Sequence, residues 1–89
     1  MRISVKDVET GNKINLDLDG ENTVEEIIES AADYWKKDPG AYVLRFGKKV
    51  LRGLMTLDES DINNNDVLEL IPDPEGGVGG SFWVYQKIF

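Results

Sequence analysis

Hydrophobic and polar residues alternate along the first two segments of the chain. In MRISVK, the apolar residues Met1, Ile3 and Val5 fall on one side of an extended strand, and the polar residues fall on the other. KINLDLD repeats this alternation, and the Gly11-Asn12 pair before it can supply the positive φ of a tight reversal. The pattern predicts a β-hairpin at the start of the chain.

The period changes in TVEEIIESAADYWKK. Thr23 and Glu26 have the spacing of a capping box, and Asp33 lies four residues before Lys37, which predicts an ion pair on one helix face. Proline and glycine in DPG, residues 38–40, are expected to end the helix. One apolar stripe is formed by Val24, Ile27, Ile28, Ala31 and Trp35.

Three further strands are predicted in the second half. YVLRFG places Leu44 and Phe46 on one face and Val43 and Arg45 on the other, and a short strand follows around VL at 50–51. In the polar loop TLDESDINNND, the apolar exceptions Leu57 and Ile62 are expected to plug the core.

The last strand is VLELI, with Leu68 and Leu70 facing inward. Pro72 and Pro74 cannot donate ladder hydrogen bonds, so the sheet is expected to end at Ile71. A hairpin, one helix and further strands predict an α+β fold, in which one helix packs across one face of a mixed sheet.

The amino-acid composition limits the classes of function that the chain can perform. A chain of 89 residues with 40% hydrophobic residues fits one globular domain. Cysteine and histidine are both absent from the sequence, which excludes disulfides and thiolate chemistry and makes self-contained catalysis a poor hypothesis. We therefore expect no enzyme, no resident cofactor and no metal.

Charge and apolar runs point to a cytoplasmic protein. The net charge of −7 disfavours nucleic acid and anionic membranes. The charged, alternating start is unlike a signal peptide, and no apolar run reaches the roughly 20 residues that span a bilayer. DLDGEN has part of a calcium-loop pattern, but the later glutamate is out of register, so a solvated acidic turn is favoured.

The ordered segments resemble the ubiquitin-like proteins of β-grasp fold. MRISVK resembles the family's opening strand, the helix from Thr23 falls at the expected place, and VLRFGKKVLR resembles the third strand, glycine-lysine turn and fourth strand. TLDESDINNNDVLELI resembles the last loop and strand, and Gly76-Gly77 follows at the family's spacing. The resemblance covers about residues 1–77, with 1–71 as the domain and 72–80 as a proline- and glycine-containing arm.

This resemblance implies a protein modifier made as a precursor. A processing protease would cut after Gly77, an activating enzyme would use ATP to adenylate the new carboxylate, and a conjugating enzyme would pass it from a cysteine to an amine of a target protein. Glycine suits such an arm because it lacks a Cβ and can thread a narrow passage. Gly79-Gly80 is a competing cleavage site, and GGVGG can also be read as a plain linker.

SFWVYQKIF, residues 81–89, is apolar on both sides if extended, and we expect it to be removed on maturation. Phe82, Trp83 and Tyr85 are its candidate docking side chains, on a partner, on this domain or in a protease groove. A strand that completes the fold is the alternative, which would make the glycines an internal hinge.

The resemblance also indicates surface sites. Lys6, Lys13, Lys48 and Lys49 lie where the family carries lysines that accept another copy, although ordinary surface lysines explain them as well. The family's apolar recognition surface is only partly present. Val8 and Ile71 keep its edges, while Arg45 and Glu69 replace apolar or neutral residues and can pair across adjacent strands.

Two other functions remain open from the sequence. The glycine carboxylate can instead become the thiocarboxylate of a sulfur carrier. Alternatively, the chain is a non-conjugated binding module whose aromatic tail docks on a partner. A monomer is expected in each case.

Overall fold

The structure, a computed structural model, describes residues 1–74. Five strands and one helix account for half of this range, and a 3-10 turn precedes the third strand. In chain order these are β1 (Arg2–Asp7), β2 (Lys13–Asp17), α1 (Val24–Trp35), the 3-10 turn (Pro39–Ala41), β3 (Tyr42–Phe46), β4 (Lys49–Leu51) and β5 (Val67–Pro72).

The strands form one mixed sheet in the order β2-β1-β5-β3-β4. The sheet is antiparallel except between β1 and β5, which run parallel, with Val5 opposite Leu68. The last strand in sequence is therefore the middle strand in space, bonded on both sides. Within residues 1–74, the predicted α+β class, mixed sheet and single helix are confirmed, and the arrangement is compatible with a β-grasp-like fold.

The start of α1 follows from its capping residues. Thr23 has extended backbone angles and its Oγ1 accepts a hydrogen bond from the Glu26 N–H at 3.2 Å. In return, Glu26 Oε1 accepts from the Thr23 N–H at 2.9 Å. The predicted capping box is confirmed, and it satisfies two N–H groups that have no partner within the helix.

The end of α1 differs from the prediction. The helix stops at Trp35 because Lys36 adopts the left-handed region with φ 61°, before the DPG segment is reached. The N–H of Lys37 then donates to Ala32 O at 2.8 Å, which satisfies a carbonyl of the last helical turn. Pro39 instead opens the 3-10 turn, whose cap is Asp38.

The core lies between α1 and one face of the sheet. The predicted helix stripe is buried except for Trp35, which packs at the edge of the core. Leu57 and Ile62 are 0% and 2% exposed, so both predicted plugs of the β4–β5 loop are confirmed. Strand residues that complete the buried cluster are Ile3, Val5, Leu44, Leu51, Leu68 and Leu70.

The prediction that the sheet ends at Ile71 is wrong by one residue. Pro72 pairs opposite Tyr42, and the N–H of Asp73 donates to Ala41 O at 2.9 Å. A proline lacks the N–H but keeps its carbonyl, so it can end a strand that is paired on that side. Within residues 1–74, no helix is long and apolar enough to cross a membrane.

Candidate functional site

The structure places three of the four predicted recognition residues, Arg45, Glu69 and Ile71, on the neighbouring strands β3 and β5, and the fourth, Val8, directly after β1. We call the sheet surface opposite α1 the open face, and its central residues are Lys6, Val8, Val43, Arg45, Glu69 and Ile71. Ile71 pairs with Val43, and the Val8 N–H donates to Leu70 O at 3.3 Å, so Val8 continues the β1 side of this surface. Val8 is 38% exposed, whereas Val43 is buried at 3%.

A cross-strand ion pair occupies the middle of the open face. Arg45 and Glu69 are directly opposite each other. Glu69 Oε1 accepts a hydrogen bond from Arg45 Nε at 2.8 Å and lies 2.7 Å from Arg45 Nη2. This confirms the predicted pair. Lys6 stands opposite Glu69 on the other side, in register. The centre of the face is therefore charged and hydrogen-bonded, with aliphatic residues at one side.

The open face has a different charge balance from the rest of the molecule. Alternation in β1 and β2 directs Arg2, Lys6, Lys13 and Asp17 away from the core. With Arg45 and Glu69, the face carries four basic and two acidic side chains, although the whole chain has a net charge of −7. A partner that docks here meets a locally positive surface on an acidic protein.

The candidate acceptor lysines are all exposed. Lys6 and Lys13 lie on paired strands, while Lys48 and Lys49 lie at the turn and start of β4. Their accessibility permits modification, but surface lysines are commonly exposed, so chain formation stays a prediction.

The strand β5 ends beside β3, and Asp73 follows it. The Asp73 N–H donates a hydrogen bond to Ala41 O, and Asp73 Oδ2 forms an ion pair with Arg52 Nη1 at 3.3 Å. The Asp73 side chain is only 9% exposed, compared with 42% for Arg52. The backbone is thus attached to the fold up to Asp73, three residues before the first predicted glycine.

The remaining predicted site residues, Gly76, Gly77, Gly79, Gly80, Phe82, Trp83 and Tyr85, lie outside the described residues.

An ionic cluster around the buried carboxylate of Asp7 was not predicted from the sequence. Asp7, which is 0% exposed, places Oδ2 2.7 Å from Lys37 Nζ, and the same ammonium lies 2.7 Å from Glu9 Oε1. Tyr42 donates its hydroxyl proton to Glu9 Oε1 at 2.7 Å, and its ring centroid lies 4.8 Å from Lys37 Nζ. The expected pairing of Lys37 with Asp33 is wrong, because Lys37 lies beyond the helix and reaches the β1–β2 turn instead.

The contacts within the cluster determine the protonation states of its members. Burial by itself raises the pKa of Asp7, but hydrogen bonds from Lys37 and the Glu9 N–H lower it below its ordinary value of 3.8. Burial likewise opposes the charge on Lys37, yet Asp7 and Glu9 raise its pKa. The hydrogen bond to Glu9 raises the pKa of Tyr42. Asp7 and Glu9 are therefore anionic and Lys37 is cationic at neutral pH, and their contacts fix the turn that carries Val8.

A scan against protein-family models finds no match to this chain, and a search of curated proteins finds none either.

Proposed function

We propose that this chain is the precursor of a ubiquitin-like protein modifier with a β-grasp domain. Support for the fold assignment comes from the strand order β2-β1-β5-β3-β4, the parallel β1–β5 pair and the helix on one face. Support for the function comes from the position of the glycines relative to that fold. The β-grasp and the conjugation chemistry are parts of the same proposal.

The proposal is supported most by the end of the central strand β5, because within residues 1–74 the last hydrogen bond to the fold is the one from the Asp73 N–H to Ala41 O. Gly77 follows Asp73 by four residues. Four extended residues reach about 13 Å, which separates a terminal carboxylate from the domain surface while keeping it close. An enzyme that grips the domain can then receive the end in a narrow passage, for which glycine is suited.

The chemistry would be supplied by partners. Hydrolysis of the Gly77–Val78 amide gives a carboxylate and a free amine. The carboxylate displaces pyrophosphate from ATP, an enzyme thiolate displaces AMP, and a target amine finally displaces the thiol. This chain offers no cysteine or histidine for those steps, and it contributes only the acyl group and the surface by which enzymes recognise it.

The test uses chains carrying an amino-terminal tag, expressed in the source cell. The full-length protein and a chain ending at Gly77 are expected to form covalent adducts on target proteins. A full-length Gly77→Pro variant and a chain ending at Glu75 are the controls, and neither should form them. Adducts that persist after thiol reduction are amide-linked, whereas adducts that disappear are thioesters.

The site of attachment requires a suitable protease. The last basic residue before the glycines is Arg52, so trypsin would leave residues 53–77 on a modified lysine. Cleavage after Glu75 leaves only Gly76-Gly77 on the lysine, and this remnant is easily recognised by mass. If neither chain forms adducts, the modifier proposal fails. A terminal thiocarboxylate would then support the sulfur carrier, and uniform retention of Phe89 would support the binding module.

A further inference from the structure

An open cleft lies beside the exit of the chain. Its volume is about 300 Å³, and it is bounded by the first half of α1, the 3-10 turn, the start of β3 and the segment after β4. Ile28, Tyr42 and Pro39 give it an apolar part, and the charged residues Glu25, Glu29 and Arg52 also line it. A pocket of this size accommodates one or two aromatic side chains.

The end of the described chain is itself part of the cleft wall. Asp73 lines the cleft, and Pro74 is the last described residue. From Pro74, eight residues lead to Phe82, and an extended segment of that length spans up to about 26 Å. The distance to the cleft is thus well within reach. Attachment through so short a segment also gives a local concentration on the order of millimolar.

Charge distinguishes the cleft from the open face as a site for the tail. SFWVYQKIF contains six aromatic or aliphatic side chains, and Lys87 is its only charged side chain. The cleft presents the carboxylates of Glu25 and Glu29, and its cation Arg52 is paired with Asp73, whereas the open face is rich in cationic residues such as Lys6 and Arg45. The single cation of the aromatic segment, Lys87, is therefore better matched by the cleft than by the open face.

We propose that residues 81–89 dock in this cleft of their own chain before processing. An aromatic side chain among Phe82, Trp83 and Tyr85 packs against Ile28 and Tyr42, with Lys87 beside Glu29. Removal of the tail then uncovers the cleft next to the new carboxyl end, so that precursor and mature protein differ in surface as well as length. Docking itself does not depend on the conjugation chemistry, so either proposal can fail alone.

The test follows Trp83 fluorescence in the full-length chain. A Trp35→Phe background leaves Trp83 as the single tryptophan. If more than half of the molecules are docked, acrylamide quenching should be at least about two-fold weaker than for a free peptide of residues 81–89, and the emission should shift to shorter wavelength. Quenching equal to that of the free peptide would overturn the proposal.

Charge reversal assigns the site. Glu25→Lys with Glu29→Lys should restore the quenching seen for the peptide. Glu21→Lys with Asp33→Lys makes the same change in net charge outside the cleft lining and should leave Trp83 protected. Circular dichroism checks that all variants remain folded. Protection that survives reversal at the cleft would overturn its assignment, and protection that grows with protein concentration would indicate a second copy instead.

The amide spectrum gives an independent reading. In full-length protein, replacing Phe82, Trp83 and Tyr85 by serine should shift the amide signals of Gly40 and Gly53, which line the cleft, and leave those of Lys6 and Lys13 on the open face in place. Shifts confined to the open face would contradict docking in the cleft.

Discussion

The most severe test of the ionic cluster around the buried Asp7 is the replacement of Lys37 by methionine. Methionine retains much of the aliphatic stem but removes the ammonium, which lies 2.7 Å from Asp7 Oδ2. Asp7 is 0% exposed and cannot turn to water without moving the β1–β2 turn. The substitution therefore leaves a buried carboxylate without its cation.

The structure sets the size of the effect. Removing one partner of a fully buried pair typically costs about 3–5 kcal/mol. Here the Lys37 side chain is 15% exposed, and Asp7 keeps hydrogen bonds from the Glu9 N–H at 3.0 Å and the Thr10 hydroxyl at 3.2 Å. We therefore expect a smaller loss, about 2–3 kcal/mol at pH 7, which is still a large part of the stability of a small domain.

Urea unfolding followed by circular dichroism measures this loss. The matched control is Arg2→Met, which removes the cation of the Arg2–Asp17 pair, whose side chains are 60% and 79% exposed. That substitution should cost less than about 1 kcal/mol. Equal effects of the two substitutions would refute the claim that burial makes the Lys37 contact important.

The pH dependence provides a second check. In the wild type, the lowered pKa of Asp7 contributes stability that is present above its ordinary value of 3.8 and is lost as pH falls through the lower folded-state value. Without Lys37, we expect burial to outweigh the remaining hydrogen bonds from the Glu9 N–H and Thr10, which raises the pKa of Asp7 and lets its carboxyl take up a proton on mild acidification. The difference between wild type and Lys37→Met should shrink between pH 7 and pH 4. A constant difference over that range would contradict the mechanism.

Two further substitutions test particular contacts. Gly20→Ala would place a Cβ 2.2 Å from Asp58 Oδ1. The substitution should therefore lower the free energy of unfolding, measured from the urea midpoint, by about 1 kcal/mol. Adding Asp58→Ala in the same chain should remove most of that loss. A double-mutant cycle on Arg45 and Glu69, with alanine at each, should give a coupling of about 0.2–1 kcal/mol, because both side chains are partly exposed; a much larger coupling would show that the pair is essential to the sheet.

Local patterns predicted the elements well. The capping box at Thr23 and Glu26 and the alternation in β1 depend only on near neighbours in sequence, and both are confirmed. Leu57 and Ile62 were identifiable because an apolar residue in a polar loop has few ways to avoid water other than the core.

Contacts between distant segments were not predictable in the same way. Lys37 follows Asp33 by four residues, a spacing that predicts a helical ion pair, but the fold brings Lys37 to Asp7, thirty residues earlier in the chain. A left-handed Lys36 ended the helix sooner than the proline signal indicated, since a non-glycine residue in that region leaves no sequence mark. Pro72 paired with Tyr42 because the rule against proline concerns its missing N–H and not its carbonyl.

The candidate site was predicted in part. Arg45 and Glu69 were expected to pair because they fall on neighbouring strands, and the register places them opposite each other. The cleft beside Asp73 could not be foreseen, because its walls come from the helix, the 3-10 turn, β3 and the segments that follow β4 and β5, whose relative placement depends on the packed core.

The mass of the intact protein recovered from its own cells is the decisive measurement for processing after Gly77. We predict a population whose last residue is Gly77, with residues 78–89 removed. A population that ends uniformly at Phe89, under conditions in which the protein is fully expressed, would contradict it.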